Sequence, residues 1–286
     1  MARVLDSEAY HERVRALLTG GKTFAVCRRQ AAAELAGETA AVLLDSPNNN
    51  LGVEYCRALH ALNGTMRPLT IPRTGAEHDG IPQAGIASAS YIRSLLREGK
   101  TGEAAAFLPV SSAEILRREM AAGRGPADER YCERAVLARL RTMEEADFRP
   151  YDGGGEGLSH RIFRAVQESC SVAEILDRAK TKRYTYARLR RLLLSAWLEM
   201  PAPALQDRPP CLRVLAANET GRGLLRRMRR NGVPVLTKPA DADRISPEAG
   251  ALLRAEARRT DLYVLAYPQI SHSPCGEEWR QGPILL

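Results

Sequence analysis

Residues 212–237 read LRVLAANETGRGLLRRMRRNGVPVLT, and their reading decides the fold class. Leu212 to Ala216 is a short apolar run with the length of a strand. Residues 219–230 follow with helical spacing, Leu224, Leu225 and Met228 lying between arginines. Asn231-Gly232 turns the chain, and Val233 to Thr237 is a second strand candidate. Strand, helix and strand in that order make a small α/β unit. Downstream, 247–258 reads as a helix and Leu262 to Ala266 as a strand.

Upstream the pattern is helical. Four prolines in residues 201–210 form a spacer. Before it, helices are predicted over 157–168, 172–180 and 184–199. Residues 145–157, EEADFRPYDGGGE, hold a proline and three consecutive glycines and are predicted to break the chain between two domains. The first domain then spans 1–150 and the second 151–286. Within the first, helices are predicted over 7–18, 22–36, 51–62, 89–98 and 127–143, with Ser88 capping the fourth of these. Ser111 or Ser112 caps another. Residues 41–45 are a short strand or a helix end, Ser46 to Asn50 a loop, and Met66 to Ile71 a strand stopped by Pro72.

Composition sets outer limits. The chain has 286 residues, 44% of them hydrophobic, enough for an ordinary core. No stretch approaches about 18 uncharged apolar residues, and no basic-then-apolar leader opens the chain. No membrane partner is expected, and the expected location is the cytoplasm. Aromatics are 5%, too few for a module that reads single strands mainly by base stacking. The six cysteines and five histidines are scattered, with no C-x-x-C and no metal spacing. Reduced thiols and no zinc site are expected.

Charge is uneven. Residues 1–150 carry 20 basic and 19 acidic side chains, net +1; residues 151–286 carry 22 and 15, net +7. A bias toward arginine over lysine explains the residue type. It does not explain the asymmetry, which suits a polyanion partner for the second half. The densest basic run is residues 178–191, with seven cations and no anion. Leu189, Leu192, Leu193, Ala196 and Trp197 claim the core face of its helix, leaving Arg188 and Arg191 beside the stripe. Lys180, Lys182 and Arg183 stand at the helix start, where unpaired N–H groups add to anion attraction. Thr181, Tyr184 and Thr185 interleave hydroxyls with the cations, as phosphate contacts often need. A solvated basic face is the competing reading. For the arginines of 221–230 the two readings are evenly balanced.

Three short pieces in the first half suit a nucleotide. Asn48 stands among side-chain amides at a helix start, where plain capping is the alternative. Arg73 lies beside a glycine in a loop. Ser88, Ser90 and Arg93 bring hydroxyls, helix-start N–H groups and a guanidinium toward one point, which suits a phosphate. No P-loop, G-x-G-x-x-G, nucleophile elbow or H-E-x-x-H is present.

Six pieces in register carry a resemblance: Ser-Pro-Asn-Asn-Asn-Leu-Gly-Val-Glu-Tyr (46–55), Thr-Ile-Pro-Arg-Thr-Gly-Ala (70–76), Ile-Ala-Ser-Ala-Ser-Tyr-Ile-Arg (86–93), Glu-Gly-Leu-Ser-His-Arg (156–161), Lys-Thr-Lys-Arg-Tyr-Thr-Tyr-Ala-Arg-Leu-Arg-Arg (180–191) and Arg-Val-Leu-Ala-Ala-Asn-Glu-Thr-Gly (213–221). Taken in order over about residues 8–270, they resemble the bacterial tRNA(Met) cytidine acetate ligases of the nucleotidyltransferase superfamily. The resemblance implies an α/β fold: an incomplete Rossmann-like nucleotidyltransferase domain, then a helical segment and the small α/β tail. It implies ATP, with Mg2+, and acetate as substrates, acetyl-adenylate as intermediate, and the wobble cytidine N4 of elongator tRNA(Met) as acceptor. Asn48, Arg73, Ser88, Ser90 and Arg93 match the ATP-binding positions. Pro72 departs from the family's lysine, and Ala89 makes the second motif a loose version. Lys180, Lys182, Arg183, Tyr184, Arg188 and Arg191 match the part that holds tRNA. The family opens with a strand leading to Asn-Pro-Phe-His-x-Gly-His, and nothing here matches it; no two histidines lie within ten residues of each other. The expectation is a ligase that is weak or inactive as this chain alone, with a non-catalytic RNA-binding module as the alternative.

Overall fold

The computed structural model describes residues 1–72, 82, 85–152, 157–181, 183–201 and 209–286. The chain forms two compact units, Met1–Thr74 and Gly75–Leu286.

The first unit is all helix: α1 (Ala2–Leu5), α2 (Glu8–Leu18), α3 (Phe24–Ala36), α4 (Glu38–Ala41), a 3-10 turn over Val42–Asp45, and α5 (Pro47–Ala61). Ser7 caps α2, its Oγ accepting from the Tyr10 amide at 3.3 Å. Gly37 ends α3 at φ 84°, a backbone setting that L side chains resist. The core is small: Leu5, Tyr10, Val14, Cys27, Ala31 and Val53 among a few alanines. Ion pairs tie the helices at the surface, Arg57 to Asp6 at 2.7 Å, Arg28 to Glu54 at 3.1 Å and Arg13 to Glu34.

Two expectations change here. The helix of Leu51 begins earlier, at Pro47, because proline fits the first helical position and Ser46 adopts the extended backbone of a cap. Met66 to Ile71 is not a strand; Leu69 and Ile71 are 88% and 94% exposed, with no ladder among the described residues. A β-rich sequence makes a strand only where another strand supplies the partner groups.

The second unit begins with α6 (Ala89–Arg97), α7 (Thr101–Ala106) and α8 (Val110–Ala121). Pro109 is the cap of α8, so Ser111 and Ser112 lie inside its first turn instead. The main core follows, built by α9 (Glu129–Arg141), α10 (Arg149–Asp152), α11 (Leu158–Gln167), α12 (Val172–Ala179) and α13 (Tyr186–Trp197). Leu140, Phe148, Leu158, Ile162, Ile175 and Leu189 are all fully buried in it. Residues 145–152 are therefore folded: a 3-10 turn over Glu145–Phe148 runs into α10, and Phe148 anchors both in the core. The three glycines that follow lie outside the described residues.

The tail carries β1 (Leu212–Arg213), β2 (Ala216–Ala217), α14 (Glu219–Arg230), β3 (Val235–Leu236), α15 (Ala242–Ile245), α16 (Pro247–Tyr263), α17 (Glu277–Arg280) and β4 (Ile284–Leu285). β1 pairs with β3 in parallel, Leu212 opposite Val235; β2 pairs with β4 in parallel, Ala216 opposite Ile284. The strand–helix–strand order of 212–237 holds. The strand expected at Leu262–Ala266 is instead the end of α16 and a 3-10 turn, Val264–Ala266. The described fold is mostly helical with little sheet. None of its helices is long and apolar enough to cross a membrane.

Candidate functional site

Asn48 lies in the first turn of α5 and is exposed, as is Asn49. Asn50 turns inward, its Nδ2 donating to the Leu44 carbonyl at 2.8 Å. One asparagine of the three therefore ties the helix start to the preceding turn, and Asn48 and Asn49 face solvent. Arg73 lies outside the described residues.

The Ser88–Arg93 piece is in the second unit. Ser88 is buried and caps α6, its Oγ accepting from the Tyr91 amide at 3.2 Å. Its hydroxyl oxygen is thus engaged in the fold. Ser90 and Arg93 do meet: an Arg93 Nη2 donates to Ser90 Oγ at 3.4 Å, one helical turn apart. Arg93 is exposed and has no carboxylate partner among the described residues. It opens on a cleft of about 140 Å3 that also takes in Arg97, Asp128, Glu129 and Arg190. Arg97 reaches Asp128 at 3.7 Å, and Arg190 reaches Glu129 at 2.7 Å. Asp128 caps α9, accepting from the Arg130 amide at 3.0 Å. Burial opposes ionisation of Asp128, but the hydrogen bonds from Arg130 outweigh it and leave the carboxyl below its ordinary value. The cleft thus gathers the side chains of three arginines and two acidic residues.

Arg190 and Arg97 are the residues that sequence reasoning missed. At 3.6 residues per turn, Arg190 stands about 200° around the helix from Arg188. That offset was the available signal, since two cations so placed cannot serve one face. Behind Arg190 a larger cavity of about 700 Å3 is walled by core side chains, Val136, Leu176, Leu193 and Trp197 among them.

The basic segment divides in the structure. Lys180 Nζ lies 5.0 Å from the centre of the Tyr186 ring. Tyr184 is buried, and its ring carries Arg183 and Arg188 at 5.7 and 5.4 Å. The amides of Arg183 and Tyr184 both donate to Thr181 Oγ1, which holds the connection between α12 and α13. Arg188 also donates to the Asp152 carbonyl at 2.9 Å, so it braces the core. Arg191 is exposed. Lys182 lies outside the described residues. The Glu-Gly-Leu-Ser-His-Arg piece begins α11, after Gly157 at φ 72°. Its Arg161 donates to the Arg178 carbonyl at 3.1 Å. Arg161, Arg164 and Arg178 line a groove of about 310 Å3 around Glu168.

The profile of the HIGH Nucleotidyl Transferase family matches residues 1–278. The chain belongs to that family. Within the HIGH nucleotidyltransferases it is similar to a protein of Acetivibrio thermocellus named tRNA(Met) cytidine acetate ligase, 28% identical over 297 residues, covering 99% of this chain and 72% of the relative. A protein of the same name from Kosmotoga olearia is 33% identical over 212 residues, covering 72% of this chain and 50% of the relative. The chain therefore spans between half and about three quarters of the length of these relatives. The fold matches that of Thermotoga maritima TmcAL, in crystals of the apo protein, with a TM-score of 0.90 and 27% identity over 100% of this chain and 73% of that one. A second crystal form of TmcAL, bound with alpha-thio ATP, matches with a TM-score of 0.88 and 26% identity. The resemblance carried by the six pieces is thereby upheld at the level of family. Among the described residues no group of three or more His, Cys, Asp or Glu could hold a metal ion.

Proposed function

We propose that the chain carries the nucleotide motifs and the tRNA-holding part of an ATP-dependent tRNA(Met) cytidine acetate ligase. An acetate oxygen attacks the α-phosphorus of ATP and pyrophosphate leaves. The N4 amine of the wobble cytidine then attacks the acetyl carbonyl, AMP leaves, and the amine gives up a proton. Asn48, Arg73, Ser88, Ser90 and Arg93 are assigned to ATP, within a Rossmann-like nucleotidyltransferase domain over 1–150. Lys180, Lys182, Arg183, Tyr184, Arg188 and Arg191 are assigned to tRNA within 151–286, in a cytoplasmic protein.

The observation that carries the reading is Arg93. Its guanidinium is poised beside Ser90 Oγ, lacks a carboxylate partner among the described residues, and opens on a cleft. A guanidinium and hydroxyl so placed suit a phosphate oxygen. The position falls within a family match that runs almost the length of the chain. Mg2+ would arrive with the nucleotide, held mainly by phosphate oxygens. Ser88 supports the site by fixing the start of α6, while Tyr184 supports the segment assigned to tRNA by carrying two guanidiniums on its ring.

Loss of pyrophosphate needs charge compensation, and preorganised donors contribute about 3–4 kcal/mol each. Arg73 and Arg93 are the cations assigned to that compensation. The test is incorporation of radiolabelled acetate into elongator tRNA(Met). This chain is compared with one bearing Asn-Pro-Phe-His-x-Gly-His ahead of Met1. ATP-dependent labelling by the longer chain supports the reading. Equal turnover by both makes Arg73 and Arg93 the catalytic candidates. Binding of tRNA without labelling by either supports an RNA-binding module.

A further inference from the structure

Helix α14 carries Arg222, Arg226, Arg227, Arg229 and Arg230, and none of them forms an ion pair among the described residues. That sets it apart. Each other helix that holds two or more arginines pairs at least one with a carboxylate: Arg13, Arg29, Arg97, Arg118, Arg130, Arg164, Arg190 and Arg254 are examples. In α14 the cations instead repeat at spacings of three and four residues, where like charges oppose the helix. Arg227, Arg229 and Arg230 sit in the last turn and are favoured there by the helix dipole. Arg222 and Arg226 have no such reason. Arg222 stands near the positive end of the helix, where a cation is disfavoured.

The arrangement is directional. Arg222, Arg226 and Arg229 fall at i, i+4 and i+7, on one face. They border a groove of about 250 Å3 whose floor includes Val214, Leu225 and Leu285. Arg229 is held in place by a neutral partner, its Nη2 donating to Thr237 Oγ1 at 3.0 Å. The apolar side of the helix is already in use: Leu225 and Met228 are half-buried, and α14 packs on β2 and β3. A membrane surface would need that apolar side outward. A concave groove rimmed by guanidiniums with an apolar floor instead suits a nucleic-acid backbone, phosphates on the rim and a sugar or base face below.

The basic run of 178–191 offers less. Arg178 pairs with Glu168, Arg190 with Glu129, and Arg188 is bonded to a main-chain carbonyl.

We infer that the Arg222–Arg226–Arg229 face of α14 is an RNA-backbone contact surface of this protein, separate from the basic segment 178–191. The inference rests on the tRNA reading above. The test is a gel shift of an elongator tRNA(Met) transcript with the full chain over a series of salt concentrations. Three proteins are compared: wild type, R222Q/R226Q/R229Q, and R222K/R226K/R229K, all checked for native helix content by circular dichroism. The glutamine triple is expected to flatten the slope of log K against log salt by about two to three units, and the lysine triple to keep it. A wild-type slope in the glutamine triple overturns the inference and leaves the tRNA reading intact. Failure of the wild type to bind tRNA at any salt overturns both. Loss in the glutamine triple of binding to phosphatidylserine vesicles, with tRNA binding unchanged, overturns it in favour of a lipid surface.

Discussion

Arg190 of α13 and Glu129 of α9 form a 2.7 Å ion pair at the mouth of the cleft that Arg93 enters from α6. The pair ties the basic segment to α9 beside the cleft, and the carboxylate neutralises one of the guanidiniums that border it. Glu129→Gln should release Arg190 and raise the charge of the cleft. Binding of tRNA should tighten, with the salt slope steeper by up to about one unit. Folding stability should change by less than about 1 kcal/mol, because both side chains are about half exposed. Gel shift and urea denaturation check the two halves.

Arg93 should matter to ATP more than to fold. Arg93→Ala removes a charge-assisted donor worth about 1.5–3 kcal/mol. ATP affinity, measured by equilibrium dialysis, should fall roughly ten- to hundredfold. Ser90→Ala should cost less, since a neutral hydroxyl gives phosphate a weaker hydrogen bond than a guanidinium does. An unchanged affinity for Arg93→Ala would remove the cleft from the nucleotide site.

The triple variant Lys180→Ala, Lys182→Ala and Arg183→Ala should flatten the salt slope of tRNA binding by about one unit for each phosphate that the variant no longer neutralises. An unchanged slope would make this segment a solvated surface.

Phe148 is fully buried in the core cluster, its turn packed on α11 and α10, although its neighbours in sequence are charged. Phe148→Ala should destabilise the second unit by roughly 3–5 kcal/mol. The readout is the urea midpoint. A change below about 1 kcal/mol would mean that the 145–152 turns do not anchor the core.

Acid should loosen the first unit through Glu34. The hydrogen bond from Arg13, aided by Gln30, holds its carboxyl at about 2, against an ordinary 4.5. A carboxyl lowered by folding contributes stability above its unfolded value and loses it as pH falls through its folded value. The stability gap between wild type and Glu34→Gln should therefore be full above about pH 4.5 and close toward about pH 2. Denaturation of the two proteins across that range measures it.

Much of the helical frame was legible. Ser88 caps the helix it was expected to start, because a hydroxyl before an apolar stripe is a local signal with a local cause; Thr185, read as a hydroxyl for phosphate, caps α13 instead. The stripe of Leu189, Leu192, Leu193, Ala196 and Trp197 is buried as its spacing requires. What failed needed distant information. Met66–Ile71 has strand-like residues and no partner strand. Leu262 extends a long amphipathic helix that a five-residue window cannot detect. Phe148 is one aromatic in a charged stretch, and only the packing of its turn on α11 and α10 buries it. For the candidate site, residue type put Arg93 and the basic run forward, but could not show which arginines neighbours would neutralise. That depends on where Glu129, Glu168 and the Asp152 carbonyl fall in space.

The tail's sheets are two residues long, joined by main-chain hydrogen bonds such as Leu212 to Pro234 and Val214 to Leu236. So short a ladder adds little cooperativity, and the small cluster of Leu236, Ala242 and Leu253 lies under it. In native-state hydrogen exchange the amides of β1 to β4 should open at a lower free energy than those of α9 and α13. The arginine face of α14 then rides on ground held less firmly than α9 and α13. It can settle against a curved polyanion at little elastic expense, and it gives up some affinity to the ordering that such docking demands.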